Sequence, residues 1–272
     1  MEVGNRVAIV TGGGGGIGAA IAGMLVANGA NVVVADLNRD AAEKAADAIG
    51  ADTAGSALGV GADVSDTEQI RGLISLAEKE FGPVEMYFAN AGIFGAPGLA
   101  ATEADWDLSL DVNLRAHVRA AQLLVPGWID RGEGYFVSTA SAAGLLTQIG
   151  SATYSVTKHA ALGFAEWLSV TYGDRGVRVS CLCPMGVNTT LLHSDQDGDP
   201  AGTTAIKAVT SAGEVLEPAQ VAAEVLAAIT DERFLILPHA NVLDMYRQKG
   251  SDYERWLRGM RRYQASLLEH GA

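Results

Sequence analysis

The stretch Val7-Ala8-Ile9-Val10-Thr11-Gly12-Gly13-Gly14-Gly15-Gly16-Ile17-Gly18 decides the fold. An apolar run rich in β-branched residues reads as a strand, and the alanine-rich run from Ile17 to Asn28 reads as a helix. Between them lie five consecutive glycines. A pyrophosphate needs backbone N–H groups at close range and a helix N-terminus aimed at it. Side chains at that approach would block it, so the chemistry asks for glycine. A glycine run alone also fits a flexible linker. The strand before it and the helix after it favour a phosphate cradle. Gly12, Gly14, Gly15, Gly16, Ile17 and Gly18 are therefore candidate cofactor residues.

The same alternation continues outward. Strands are predicted at Arg6 to Thr11, Asn31 to Asp36, Ala57 to Ala62, Val84 to Ala89, Tyr135 to Thr139, Val177 to Cys183 and Phe234 to Leu237. Helices are predicted over Asp40 to Ile49, Asp66 to Glu80, Thr102 to just before Gly132, Ser151 to Tyr172 and Pro218 to Ile229. Strands that alternate with helices imply parallel pairing in an α/β, doubly wound sheet, with the chemistry on one edge. Asp36 ends the second strand, eighteen residues beyond Gly18. A carboxylate there can accept hydrogen bonds from ribose hydroxyls and would repel a 2′-phosphate, which favours NAD over NADP. Leu37 follows it as a further candidate. Arg39 is read as a solvated loop charge.

Tyr154 and Lys158 share one face of a helix, about one turn apart. An ammonium beside a phenol favours the phenoxide, and a phenoxide can take a proton from an alcohol. Free tyrosine titrates at about 10, so a base poised near 7 needs a shift of roughly three units. Ser141, just after the fifth strand, can hold a substrate oxygen. A lone tyrosine–lysine pair would read as an ordinary helix tyrosine with a solvated neighbour. The order of the whole set behind a nucleotide cradle reverses that reading.

These residues resemble the short-chain dehydrogenase/reductase family in its single-domain form, over residues from about 5 to 240. The resemblance rests on Thr11-Gly12-x-x-x-Gly16-x-Gly18, Asp63-Val64, Asn90-Ala91-Gly92, Asn113, Ser141, Tyr154-x-x-x-Lys158 and Pro184-Met185-Gly186-Val187-Asn188-Thr189. It implies one Rossmann-type domain over residues 1–272. Its seven-stranded parallel sheet would run in the order 3-2-1-4-5-6-7, with a C-terminal helical extension. It implies that Asp63 and Val64 border the adenine, and that Asn90, Ala91 and Gly92 support the sheet and line the cofactor. Pro184, Gly186, Val187 and Thr189 would lie at the nicotinamide, and Lys158 would bond its ribose. Asn113 would hold a water leading from Lys158 to solvent. Two departures are Ala89, where the family often has asparagine, and Met185, where it usually has glycine. Neither touches a proton-transfer group.

The remaining readings bound the function. A formal net charge of −13 argues against nucleic acid. No apolar run approaches the roughly 18 residues of a membrane helix, and the start carries no basic-then-apolar leader. Cys181 and Cys183 read as small core residues in a reducing cytoplasm. No histidine spacing implies a metal. Thr189 to Gly213 reads as a mobile substrate lid. Within it, Asp195 to Pro200 lacks the glycine and glutamate that a calcium loop needs. Substrate contacts are expected from Asn90 to Pro97, from Leu145 to Ile149 and from the Thr189 to Gly213 lid. Leu145, Leu146, Ile149, Leu191 and Leu192 make this region apolar, with Gln148 and His193 as polar candidates. After Asn241, Trp256, Met260, Tyr263 and Leu267 form a helical stripe expected to pack on the cleft or on another subunit. The partners expected are a small-molecule substrate and further copies of the chain, as a dimer or tetramer. The leading function is an NAD-dependent alcohol dehydrogenase; an NADPH-dependent carbonyl reductase and a non-catalytic nucleotide sensor are the rivals.

Overall fold

The computed structural model describes residues 1–50, 53–193 and 200–269. Seven strands form one parallel sheet in the order β3-β2-β1-β4-β5-β6-β7, as expected. They are β1 (Val7–Thr11), β2 (Asn31–Asp36), β3 (Ser56–Gly61), β4 (Met86–Ala89), β5 (Gly134–Thr139), β6 (Val177–Leu182) and β7 (Leu235–Ile236). The helices are α1 (Gly16–Ala27), α2 (Arg39–Gly50), α3 (Thr67–Phe81), α4 (Glu103–Leu110), α5 (Ala116–Arg131), α6 (Ala143–Leu146), α7 (Ala152–Tyr172), α8 (Thr190–His193), α9 (Pro200–Ala212), α10 (Pro218–Asp231), α11 (Asn241–Ser251) and α12 (Tyr253–Glu269).

The two-residue period of the strands splits the core in two. Ile9, Val33, Tyr87 and Phe136 face a layer with Ile70, Leu73, Trp128, Ala161 and Leu168 from α3, α5 and α7. Val10, Val32, Met86 and Tyr135 face the other side, against Ile21, Leu25, Val221 and Val225 from α1 and α10. Burial on both faces explains why the strands read as unbroken apolar runs. Cys181 and Cys183 share a face as predicted, both fully buried, with their sulfurs 3.9 Å apart.

Two local readings need correction. The helix expected from Thr102 to Gly132 is interrupted at Asp111–Arg115 by a wider π turn. Such single-turn bulges arise within helices and commonly mark functional sites; this one carries Asn113. The expected ends hold: Thr102 caps α4 reciprocally with Asp105, and Gly132 ends α5 in the left-handed region at φ 72°. The expected lid, Thr189 to Gly213, is not a loop where it is described. It forms α8 and α9, because Ala205, Ile206, Ala208 and Val209 recur at helical spacing and face the cleft. Asp195 to Asp199 of the calcium-loop reading lie outside the described residues.

His117 is buried on α5, with Nδ1 2.9 Å from Ser138 Oγ. Burial, aided by the nearby Lys158 charge, pushes its pKa down to about 3. The folded state therefore binds fewer protons than the unfolded chain between about pH 3 and 6.5. Its contribution is complete above the unfolded value and fades as pH falls through that window. Stability should drop with a slope approaching 1.4 kcal/mol per pH unit from this one group. Urea midpoints at pH 6.5 and 4.5 should differ less in His117→Gln than in the unaltered chain.

Candidate active site

The cradle is set by backbone geometry. Gly12 has φ +63°, and a Cβ there would lie 2.9 Å from Ala91 Cα. Gly18 admits no side chain at all, because a Cβ would sit 2.1 Å from Gly12 O. This seats the first turn of α1 directly against the end of β1. At Gly15, which caps α1, nothing lies within 4 Å of an added Cβ. Open space at a helix N-terminus, floored by bare backbone, fits a dinucleotide pyrophosphate. Asp36 closes the far side: its Oδ2 accepts Gly14 N at 3.0 Å and its Oδ1 accepts Asn38 N at 3.0 Å.

Asn90 ties the strand ends together. Its Nδ2 donates to Thr11 O at 3.0 Å, and its Oδ1 accepts from Thr139 Oγ1 at 3.2 Å. The loop after β4 is thereby held level with the cradle, and Asn90, Ala91 and Gly92 all face the cleft.

On α7, Ser151 caps the helix by accepting Tyr154 N at 3.2 Å. Tyr154 then stacks on Phe94, with ring centroids 4.8 Å apart. Lys158 is buried; its Nζ donates to Thr139 O at 2.9 Å and lies 5.6 Å from the Tyr154 ring centre. Ser141 Oγ accepts Ala143 N at 3.1 Å and donates to Pro184 O at 3.4 Å, and its hydroxyl stands near enough to the Tyr154 phenol to pull the phenol pKa down. Phe94 lines the cleft within the expected Asn90 to Pro97 segment. Its stack on Tyr154 and the part played by Thr139 O carry no signal in the sequence, since neither belongs to a charged or reactive pattern.

The electrostatics differ from the simple expectation. Burial pushes Tyr154 above the ordinary phenol value, against the opposite pull of the Ser141 hydroxyl. Burial also pushes Lys158 down to about 8. The ammonium is spent on Thr139 O rather than on the phenol oxygen, so it does not set Tyr154 near neutrality in this arrangement. A phenol that holds its proton at pH 7 is a proton donor; a further positive charge would be needed to make it the base.

One cleft of about 760 Å³ joins these parts. Gly12, Gly14, Gly15, Gly16, Ile17, Gly18, Asp36, Asn90, Ala91, Gly92, Ser141, Tyr154, Lys158, Pro184, Val187 and Thr189 all line it. Five expected residues do not. Leu37 is 77% exposed beside it. Asp63 turns its carboxylate to Ser65 N at 2.8 Å, and Val64 is buried next to it. Gly186 lies behind Val187, its carbonyl accepting from Leu216 N at 3.0 Å. Asn113 is buried, and its side chain is committed to Ile93 N, Ile93 O and Thr157 Oγ1 at 2.9, 2.9 and 3.1 Å.

At the substrate end, Leu146, Ile149, Leu191 and Leu192 line the cleft as expected, and Leu145 packs into the core instead. Gln148 is present, but its Nε2 is engaged by Ile149 O and Ala205 O at 3.1 and 3.2 Å. His193 points away, to Asn188 Oδ1 at 2.8 Å. Met185, Met245, Trp256, Met260 and Tyr263 complete the wall. Of the two seats expected for the apolar stripe of the tail, the structure gives the cleft: Trp256, Met260 and Tyr263 line it, and Leu267 packs with Ile149 and Ala208. Among the described lining residues Asp36 and Lys158 are the only charged side chains. No group of His, Cys, Asp and Glu among the described residues could hold a metal.

Known proteins share this architecture. The chain is 31% identical over 244 residues to a cyclohexanol dehydrogenase of Acinetobacter sp. (strain SE19), covering 88% of this chain and 94% of that protein. It is 32% identical over 232 residues to a D-threitol dehydrogenase of Mycolicibacterium smegmatis, covering 85% and 88%. A crystal structure of a short chain dehydrogenase/reductase from Burkholderia phymatum in complex with NAD superposes with a TM-score of 0.84 at 29% identity, covering 93% of this chain and 96% of that one. The family model described as short chain dehydrogenase matches residues 6–200, and the chain belongs to that family.

Proposed function

We propose that the protein is an oxidoreductase that moves a hydride between NAD and a neutral, fairly apolar secondary alcohol or its ketone. The observation that carries this reading is the single cleft joining an open glycine cradle to Ser141, Tyr154 and Lys158. The glycine cradle would hold the pyrophosphate, Asp36 the ribose hydroxyls, and Pro184, Val187 and Thr189 the nicotinamide end. When bound, NAD supplies a two-electron acceptor for the hydride of the carbinol carbon.

The chain's own residues do the rest. Ser141 holds the substrate oxygen, and Tyr154 exchanges a proton with it. Lys158 keeps a positive charge within the site, and Asn113 pins the loop at Ile93 that carries Phe94. Asp36 would repel a 2′-phosphate by up to about 4 kcal/mol at close contact and intermediate dielectric, which favours NAD. Among the described lining residues no cation besides Lys158 is offered to a carboxylate substrate, so a neutral one is favoured. The cyclohexanol dehydrogenase likeness points the same way.

Trp167 and Val170, 53% and 88% exposed on α7, support association into dimers or tetramers. Two free, buried cysteines fit a cytoplasmic location. No described helix is long and apolar enough to cross a membrane.

The test is a panel of secondary alcohols with NAD and with NADP, followed by absorbance of the reduced coenzyme. Cyclic and aryl alcohols with NAD should give the highest kcat/KM. Turnover of glycerol-like polyols at an equal rate would overturn the apolar assignment, and a preference for NADP would overturn the role of Asp36.

A further inference from the structure

Lys249 is buried, with 6% of its surface exposed, on α11. Its Nζ donates to Leu145 O at 2.6 Å and lies 5.5 Å from the Tyr253 ring centre. Among the described residues no carboxylate stands within ion-pair distance of it. A buried ammonium without a counter-ion is expensive, so the fold must gain something from the contact. What the contact joins is informative. Leu145 belongs to α6, which begins two residues after Ser141 and supplies Ala143 and Leu146 to the cleft. The tail that carries Lys249 supplies Met245, Trp256 and Met260 to the same cleft.

The far end of the tail is fastened separately. Tyr263 Oη donates to Ala208 O at 2.8 Å, and Leu267 packs with Ile149 and Ala208. The α11–α12 hairpin is thus held at both ends, to α6 through Lys249 and to α9 through Tyr263, and both helices line the cleft.

We propose that Lys249 is a positioning residue that latches the C-terminal hairpin to the Ser141 segment and fixes Met245, Trp256 and Met260 as a wall selecting ring-sized neutral alcohols. The substrate half of this proposal rests on the alcohol-oxidoreductase reading above. With the latch closed, the wall stands at a set distance from Ser141 and Tyr154. A cyclic alcohol is then gripped on its apolar faces, whereas a short open-chain alcohol touches little of the wall. Losing the latch should therefore weaken the first far more than the second.

The test compares the unaltered chain with Lys249→Met, Lys249→Arg and Met260→Ala. KM for cyclohexanol should rise roughly tenfold more than KM for butan-2-ol in Lys249→Met and Met260→Ala, the scale of a lost methylene-sized contact in an apolar pocket. Lys249→Arg, which still offers a donor to Leu145 O, should restore most of the difference. Amide hydrogen exchange should accelerate in Lys249→Met at residues 241–269 and at 142–149 together. An equal change in KM for both alcohols, with a lower melting temperature, would show a merely structural lysine and sink the proposal. Exchange confined to one of the two segments would sink the latch. Should the unaltered chain oxidise neither alcohol while exchange still couples the segments, the alcohol reading fails and the latch stands.

Discussion

Tyr154→Phe should lower kcat for alcohol oxidation by about 10²–10⁴-fold, the usual contribution of a positioned proton-transfer group. The Kd for NAD should stay close to that of the unaltered chain, because the ring that stacks on Phe94 is kept and only the hydroxyl is lost. The substitution removes the phenol that shares the cleft with Ser141 and Lys158 and can carry a proton. The pH dependence sharpens the test. Burial raises the phenol, and Lys158 is lowered to about 8. Oxidation needs the deprotonated phenol, so its kcat/KM should climb as pH rises through the apparent pKa of the site. Ketone reduction needs the protonated phenol and should fall over that same range. The two groups share one cavity, so the measured value belongs to the pair. Tyr154→Phe should flatten both limbs. Hydride transfer in Tyr154→Phe at the unaltered rate would remove Tyr154 from the chemistry altogether.

The parts that were legible in the sequence are local. The glycine run, Asp36 at the end of β2, and the one-turn spacing of Tyr154 and Lys158 each encode their geometry within a few residues. Backbone period and turn chemistry then place them on one sheet edge. What was hidden depends on contacts between distant segments. Phe94 meets Tyr154, and Lys249 meets Leu145 across 104 positions, with no shared pattern to announce either pairing. The lowered Lys158 is of the same kind, since it results from enclosure by several elements rather than from any neighbour in the chain. The π turn at Asn113 leaves no period of its own against the helices on both sides. The segment after Thr189 misled through its small and polar residues, although its alanines and Val209 carried a helical stripe.

Gly18→Ala should cost about 3 kcal/mol or more of stability and remove NAD binding with it. Overpacking of a well-filled interior costs roughly 1–3 kcal/mol, and more where no flexible neighbour can yield. Here the obstacles are the backbone carbonyl of Gly12 at 2.1 Å and the Asn90 amide at 2.7 Å. Relief requires α1 to move away from β1, and that movement pulls apart the cradle and the Asn90 tie at once. Gly15→Ala is the matched control. Gly15 has φ −173°, an extended conformation open to any residue, and nothing stands within 4 Å of the new Cβ. Its stability loss should stay within about 1 kcal/mol, the scale of replacing a glycine helix cap by alanine. The added methyl nevertheless stands in the open cradle, so the Kd for NAD should rise. The pair thus separates a glycine required for packing from one required for the ligand. Equal urea midpoints for Gly18→Ala and the unaltered chain would contradict the close approach of helix and strand. A Gly15→Ala protein that binds NAD as tightly as the unaltered chain would place the pyrophosphate elsewhere.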